Sequence, residues 1–137
     1  MFSEDIEYCG NHIAQFHQNP FDNITKEEFE ERIAQVSSRV GELNDTQIFV
    51  ELNKVGAAIG DAHTTMDYFS GYFYPFWFEI FDGELYIINT DEANSDLLYA
   101  KVSHINEYPA SYIMEELEIL IPHENEYWVS RMMPQYL

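Results

Sequence analysis

The residues best suited to chemistry lie in a short polar segment at positions 60–64, with the sequence Gly-Asp-Ala-His-Thr. Its histidine, His63, follows a glycine that is expected to end a helix, so a defined turn would hold its backbone. An imidazole can accept a proton near neutral pH and return it, which is the chemistry of a general base. The alternative is a structural histidine whose ring nitrogens join a helix to a sheet, and spacing alone favours that alternative.

Two other groups of side chains could support chemistry. Cys9 and His12 share one predicted helix, but a reactive dyad needs an activated thiolate, and Cys9 lies on the apolar stripe of that helix. A polar loop at residues 89–96 is rich in oxygen ligands, yet it departs from the EF-hand pattern at Ala93. The histidines also lack zinc-type spacing. We therefore expect no metal and no cofactor, and we expect Cys9 to pack in a core.

The composition limits the range of partners. The chain has 137 residues, of which 25 are acidic and 6 are basic, and its net charge is −19. Such a charge repels phosphate backbones and anionic lipid surfaces, so neither a nucleic acid nor a membrane is an expected partner. Hydrophobic residues make up 46% of the chain, which is enough for a folded core. The N-terminus lacks the features of a signal peptide, which predicts a cytoplasmic location.

Apolar residues at helical spacing predict three amphipathic helices in the first half of the chain, and hence a small bundle. Ser3 is placed to cap the first helix, whose apolar stripe consists of Ile6, Cys9, Ile13 and Phe16. The third helix is expected to begin at Asn44 or Asp45 and to end at Gly60, a favoured residue just after a helix.

The second helix has the clearest start signal. Thr25 and Glu28 have the spacing of a capping box, in which each side chain bonds the backbone N–H of the other residue. Ile24 and Phe29 flank that box at the positions of a hydrophobic staple. The sequence therefore predicts that a helix begins directly after Thr25.

Beyond the third helix the pattern changes to β-structure. Residues 72–81 are aromatic and apolar on both faces, as is usual for a strand buried on two sides. An Asp-Gly pair at 82–83 predicts a tight hairpin into a second strand at 84–89. Residues 97–106 are predicted to form a third strand, and helices are predicted after Pro109 and near the C-terminus.

The predicted fold class is α+β. A helical N-terminal subdomain, a three-helix bundle, is expected over residues 1–64. A β-rich subdomain, with a small, mainly antiparallel sheet and C-terminal helices, is expected over residues 65–137.

Several segments, taken in their order along the chain, resemble the N-terminal part of tricorn-like and C-terminal-processing serine peptidases. In the helical half these are residues 19–21 (Asn-Pro-Phe), 23–29 (Asn-Ile-Thr-Lys-Glu-Glu-Phe) and 59–64 (Ile-Gly-Asp-Ala-His-Thr). In the second half they are residues 81–86, 101–106 and 121–126. The resemblance covers most of the chain, and the order of the segments is more specific than any one of them.

The resemblance implies a helical N-terminal region, then a PDZ-like module, then a catalytic domain that supplies the nucleophilic serine. In the tricorn branch a general-base histidine ends the helical region. His63 matches that position, and Gly60, Asp61 and Thr64 match the motif around it. The residue before the histidine is a serine in that branch, whereas this chain has Ala62.

A PDZ-like strand of the family ends in an Ile-Asn-Gly turn, which residues 105–106 match. Glu107 stands in place of the glycine, so the resemblance implies a degenerate PDZ-like subdomain. None of the serines has the neighbours of an activated nucleophile. They include Ser37, Ser38 and Ser70.

The leading functional hypothesis is a non-catalytic N-terminal module that presents His63 to a catalytic domain absent from this chain. The chain alone is expected to be inactive, because a base without a nucleophile forms no acyl-enzyme. The apolar ending, residues 132–137, is expected to continue into further structure. The alternative is a self-contained interaction module that acts as a homodimer through its aromatic segment or its C-terminal helix. A peptide is a further candidate partner.

Overall fold

The computed structural model describes residues 2–65 and 73–137. The chain divides into two compact units, Met1–Asp67 with Pro122–Glu124 and Tyr68–Ile121 with Asn125–Leu137. The described residues form helices and short antiparallel strands, which confirms the predicted α+β class. None of the helices formed by the described residues combines the length and the apolar character needed to cross a bilayer.

The described residues of the first unit form three helices, α1 (Phe2–Phe16), α2 (Lys26–Arg39) and α3 (Asp45–Ile59). Their apolar faces meet in one core, whose buried residues are Ile6, Ile24, Phe29, Ile33, Val36, Ile48, Val55 and Ile59. Phe16 was expected in this stripe, but it is 64% exposed. It is the last residue of α1, and its ring packs back on His12 with the ring centroids 4.4 Å apart.

The predicted starts of α2 and α3 are confirmed by their caps. The Thr25 hydroxyl accepts the Glu28 N–H at 3.1 Å. The Glu28 carboxylate bonds Arg32 at 2.7 Å, so only half of the predicted capping box forms. A complete box begins α3, where Asn44 and Gln47 each accept the backbone N–H of the other residue. These bonds satisfy amide groups that would otherwise lack a partner in the helix.

Helices α1 and α2 approach closely at Gly10. A Cβ atom on Gly10 would lie 2.9 Å from both γ carbons of Ile33, so only a glycine fits there without a shift. Ser3 was predicted to cap α1, which is wrong because the helix already includes it. Its hydroxyl instead meets that of Ser37 on α2 at 2.6 Å. Ser3 therefore joins two helices rather than beginning one.

The second unit begins with an antiparallel hairpin, β1 (Phe76–Phe81) and β2 (Glu84–Thr90). Asp82 and Gly83 form its turn with φ angles of 52° and 76°, which confirms the predicted Asp-Gly hairpin. Strand β1 is shorter than the predicted strand at 72–81, because residues 73–75 precede it and residue 72 lies outside the described residues.

Burial of β1 on both faces is a wrong prediction. Trp77 and Phe81 are 56% and 54% exposed. Across the hairpin, one face carries a polar group in which Glu84 bonds both Lys101 and the Tyr86 hydroxyl. The bond from Lys101 lowers the pKa of the Glu84 carboxyl. Such charged groups keep that face in contact with water.

The predicted third strand at 97–106 does not form as one element. A 3₁₀ turn (Glu92–Leu97) occupies its start, and the positive φ of Tyr99, 66°, interrupts extended backbone. The chain then runs beside β2, with one isolated bridge at Lys101. A small hairpin of β3 (His104–Ile105) and β4 (Tyr108–Pro109) follows this segment.

In the described part of the second unit, α4 (Ala110–Glu118) and α5 (Glu126–Met132) follow, and a short 3₁₀ helix (Met133–Gln135) comes after α5. Pro109 precedes α4, as predicted. The core of this unit is formed by Ile121, Val129 and Met133. Ile80 of β1 packs against that core, so the C-terminal helices cover one face of the hairpin.

Gly10→Ala is expected to lower the free energy of unfolding by up to about 2 kcal/mol. The added methyl gains about 1 kcal/mol of helix propensity but must displace Ile33, and overpacking of this kind costs about 1–3 kcal/mol or more. Urea unfolding followed by circular dichroism measures the change. The control is Gly41→Ala, where the new Cβ meets no described atom within 4 Å. A Gly10→Ala variant that is more stable than wild type would contradict the tight contact.

Candidate functional site

The candidate site is the turn that follows α3. Gly60 ends the helix in the left-handed conformation, with φ of 75°, as its position in the sequence predicts. The side-chain amide of Asn23 donates to the Ile59 carbonyl at 3.0 Å. A Cβ on Gly60 would lie 2.3 Å from that amide nitrogen. Both the φ angle and the close approach of Asn23 therefore require glycine.

Asp61 holds the turn together through both of its carboxylate oxygens. Its Oδ1 accepts the backbone N–H of His63 at 3.0 Å. Its Oδ2 accepts the Thr64 hydroxyl at 2.8 Å and lies 2.9 Å from His17 Nε2. The bond from the His63 backbone, followed by those from Thr64 and His17, lowers the pKa of the Asp61 carboxyl to about 2. The carboxylate is therefore ionised at neutral pH.

His17 joins this turn from just beyond the end of α1. Its Nδ1 accepts the backbone N–H of Asn19 at 3.2 Å, which assigns the proton of the neutral ring to Nε2. That nitrogen lies 2.8 Å from the Thr64 hydroxyl oxygen as well as 2.9 Å from Asp61. His17 thus donates its Nε2 proton to Thr64 and Asp61, and Thr64 donates its hydroxyl proton to Asp61.

This network does not activate Thr64 as a nucleophile. In a catalytic triad the base receives the hydroxyl proton on a bare Nε2, and the carboxylate bonds the opposite ring nitrogen. Here the hydroxyl and the carboxylate meet the same nitrogen of His17, and that nitrogen carries the proton. Thr64 donates its hydroxyl proton to Asp61 instead. The arrangement orients the turn and offers no base to Thr64.

His63 is exposed, and within the described segments no residue hydrogen-bonds its ring. Its contact with the network is through the backbone N–H. The structural alternative, in which its ring nitrogens connect two elements, is not found there. His17 takes that connecting role. Sequence reasoning missed His17, because its partners lie 44 and 47 residues away and no local motif marks them.

The Cys9 and His12 pair does not assemble as a dyad. Cys9 is half-buried, and burial raises the pKa of its thiol, which disfavours the reactive thiolate. The His12 ring lies between those of Tyr8 and Phe16, with centroid distances of 5.4 and 4.4 Å. Stacking, rather than a bond to sulfur, sets its orientation.

In the oxygen-rich loop at 89–96, polar groups form hydrogen bonds with each other. Asp91 Oδ1 accepts both the backbone N–H and the side-chain amide of Asn94, at 3.1 and 2.6 Å. Asp91 thereby caps the 3₁₀ turn that follows it. In the part of the chain that the structure describes, no cluster of three or more His, Cys, Asp or Glu side chains is arranged to hold a metal ion.

Comparison with known protein families, with curated proteins and with solved structures finds no match to this chain. The relationship to tricorn-like serine peptidases stays a prediction based on the sequence segments given above.

Asp61→Asn should lower the free energy of unfolding at pH 7 by about 1 kcal/mol. A fall in pKa from 3.8 to about 2 corresponds to ~2 kcal/mol, and solvent screening reduces this because the side chain is 32% exposed. Since the folded pKa is the lower one, the stabilisation is complete above about pH 4. It is lost as the pH falls through about 2.

Urea unfolding of both proteins between pH 7 and pH 2 measures this difference. The control is Asp22→Asn, at an exposed residue for which the described residues provide no ion pair or hydrogen bond. If the difference in the free energy of unfolding between wild type and Asp61→Asn stays constant down to pH 2, the ionised carboxylate has no role in stability.

Proposed function

We propose that this chain is the N-terminal module of a tricorn-like serine peptidase and that it has no catalytic activity by itself. In this proposal α1–α3 are the helical bundle of that module, and the second unit is a degenerate PDZ-like subdomain that helps to admit a peptide substrate. His63 is the general base, and a catalytic domain outside these 137 residues supplies the serine. The motif at 60–64 and the order of the other family-like segments support the relationship.

One observation carries the proposal: the ring of His63 is exposed while its backbone is fixed. A base that serves a hydroxyl of another domain must be accessible to it, and it must also be held in place. The His63 side chain is exposed, and its backbone N–H bonds the Asp61 carboxylate at 3.0 Å. His17, by comparison, has both ring nitrogens engaged within the module.

The proposed chemistry is acyl transfer. The imidazole of His63 takes the proton of the serine hydroxyl as the serine oxygen attacks the peptide carbonyl, and then gives this proton to the leaving amine. The chain cannot complete this step with its own Thr64, because that hydroxyl is bonded to Asp61 and His17. The module therefore contributes the base and the catalytic domain contributes the nucleophile.

His63→Ala should lower kcat/KM of the complete gene product about 10²–10⁴-fold, the usual contribution of a general base. The complete reading frame is expressed and assayed with fluorogenic peptides and with a fluorophosphonate probe for activated serine. The isolated 137-residue chain should neither turn over peptides nor react with the probe. His12→Ala is the matched control, because His12 is an exposed histidine of the same unit.

Peptide turnover that survives His63→Ala would contradict the proposal. So would a complete reading frame that encodes no serine-bearing domain and whose product does not label with the probe.

A self-contained homodimeric interaction module is the second candidate function. The observation in its favour is the exposed aromatic group at the start of the second unit, formed by Phe73, Tyr74 and Trp77. Their exposed fractions are 78%, 78% and 56%, and exposed apolar groups of this kind favour association.

If that candidate is correct, light scattering will give a dimer mass that does not change with dilution, and Trp77→Ser will convert it to a monomer. Tyr8→Ser provides the control, since Tyr8 is 67% exposed but lies on α1. A monomeric wild-type chain at all concentrations would exclude the homodimer.

A further inference from the structure

We propose that Asp61 and His17 are positioning residues for His63, which fix the turn at 60–64 so that the imidazole is presented in one place. The inference rests on the proposed function, since it names the groups that would make His63 an effective base. Neither residue touches the reacting atoms in this scheme. Asp61 acts through the backbone of the turn, and His17 acts through the side chains of Asp61 and Thr64.

The two carboxylate oxygens of Asp61 bond different groups of the turn. Oδ1 accepts the N–H of His63 and so fixes the peptide group that carries the base. Oδ2 accepts the Thr64 hydroxyl on the far side of the base and meets His17 Nε2. The turn is also closed by the Thr64 N–H, which donates to the Asp61 carbonyl at 2.9 Å. His63 is thus held on both sides by one residue.

His17 connects this turn to the rest of the first unit. It lies directly after α1, and its backbone N–H continues that helix by donating to the Ile13 carbonyl at 3.0 Å. Its ring is fixed at Nδ1 by the Asn19 N–H and reaches the turn through Nε2. The end of α1 therefore sets the position of Asp61, which in turn sets that of His63.

Such support matters because the turn follows a left-handed glycine. Glycine has more backbone freedom than any other residue, so Gly60 alone does not hold the segment after it in one conformation. A base that is misplaced by about 1 Å loses about 10²-fold in rate. Hydrogen bonds to an ionised carboxylate are about twice as strong as those between neutral groups, which suits Asp61 to this role.

The test compares His17→Phe with His17→Gln in the complete gene product. Phenylalanine keeps a ring but removes the N–H donor, whereas the side-chain amide of glutamine places a donor near the position of Nε2. We expect His17→Phe to lower kcat about 10²-fold with KM little changed. We expect His17→Gln to restore kcat to within about 10-fold of wild type. Val36→Ala is the control, because Val36 is buried in α2 and takes part in none of the hydrogen bonds of the turn.

A second measurement needs no catalysis. In the 137-residue chain, the {¹H}-¹⁵N NOE of the His63 amide should match those of α3 in wild type and in His17→Gln, and it should fall in His17→Phe. The circular dichroism of all three proteins shows whether they are folded. An equally ordered His63 amide in His17→Phe would overturn the inference.

The two hypotheses fail in different ways. If His63→Ala leaves turnover intact, the proposed function is wrong. If His63→Ala abolishes turnover while His17→Phe behaves like Val36→Ala, the proposed function stands and the positioning inference alone is wrong.

Discussion

The carboxylate of Asp61 is the interaction on which the geometry of the candidate site depends. The apolar core of the first unit fixes the ends of α1 and α3, but it does not determine the path of the chain after Gly60. Asp61 determines that path, because its two oxygens bond the backbone of His63 and the side chains of Thr64 and His17. Burial thus places the helices, and a small polar network places the turn.

The same network decides which side chain is available for chemistry. The hydrogen bonds that order the turn engage the Thr64 hydroxyl and both ring nitrogens of His17. The Thr64 hydroxyl proton is therefore committed to Asp61, and neither ring nitrogen of His17 is left to take a proton from a substrate. The exposed imidazole of His63 remains, with its backbone N–H held by Asp61. The same set of bonds therefore orders the turn and leaves the imidazole of His63 exposed.

Local signals were predictable from the sequence, whereas contacts between distant residues were not. The cap at Thr25, the glycine at position 60 and the Asp-Gly hairpin depend on neighbouring residues, and each appears as expected. Ser3 fits a capping pattern, but its hydroxyl finds Ser37, 34 residues away. The burial of β1 and the conformation of residues 97–106 depend on contacts with distant parts of the chain, which no local pattern shows. His17 was overlooked for the same reason, since its partners lie on another helix end.

The net charge of the chain helps to distinguish the two candidate functions. A homodimer would bring together two chains that each carry a net charge of −19, and their repulsion is only partly screened over a Debye length of about 8 Å at physiological salt. Apolar contacts at Phe73 and Trp77 would have to overcome this repulsion. The proposed catalytic domain would make its contact within one polypeptide, and such tethering raises the effective concentration of the partner. The net charge therefore favours a cationic partner over a second copy of this chain.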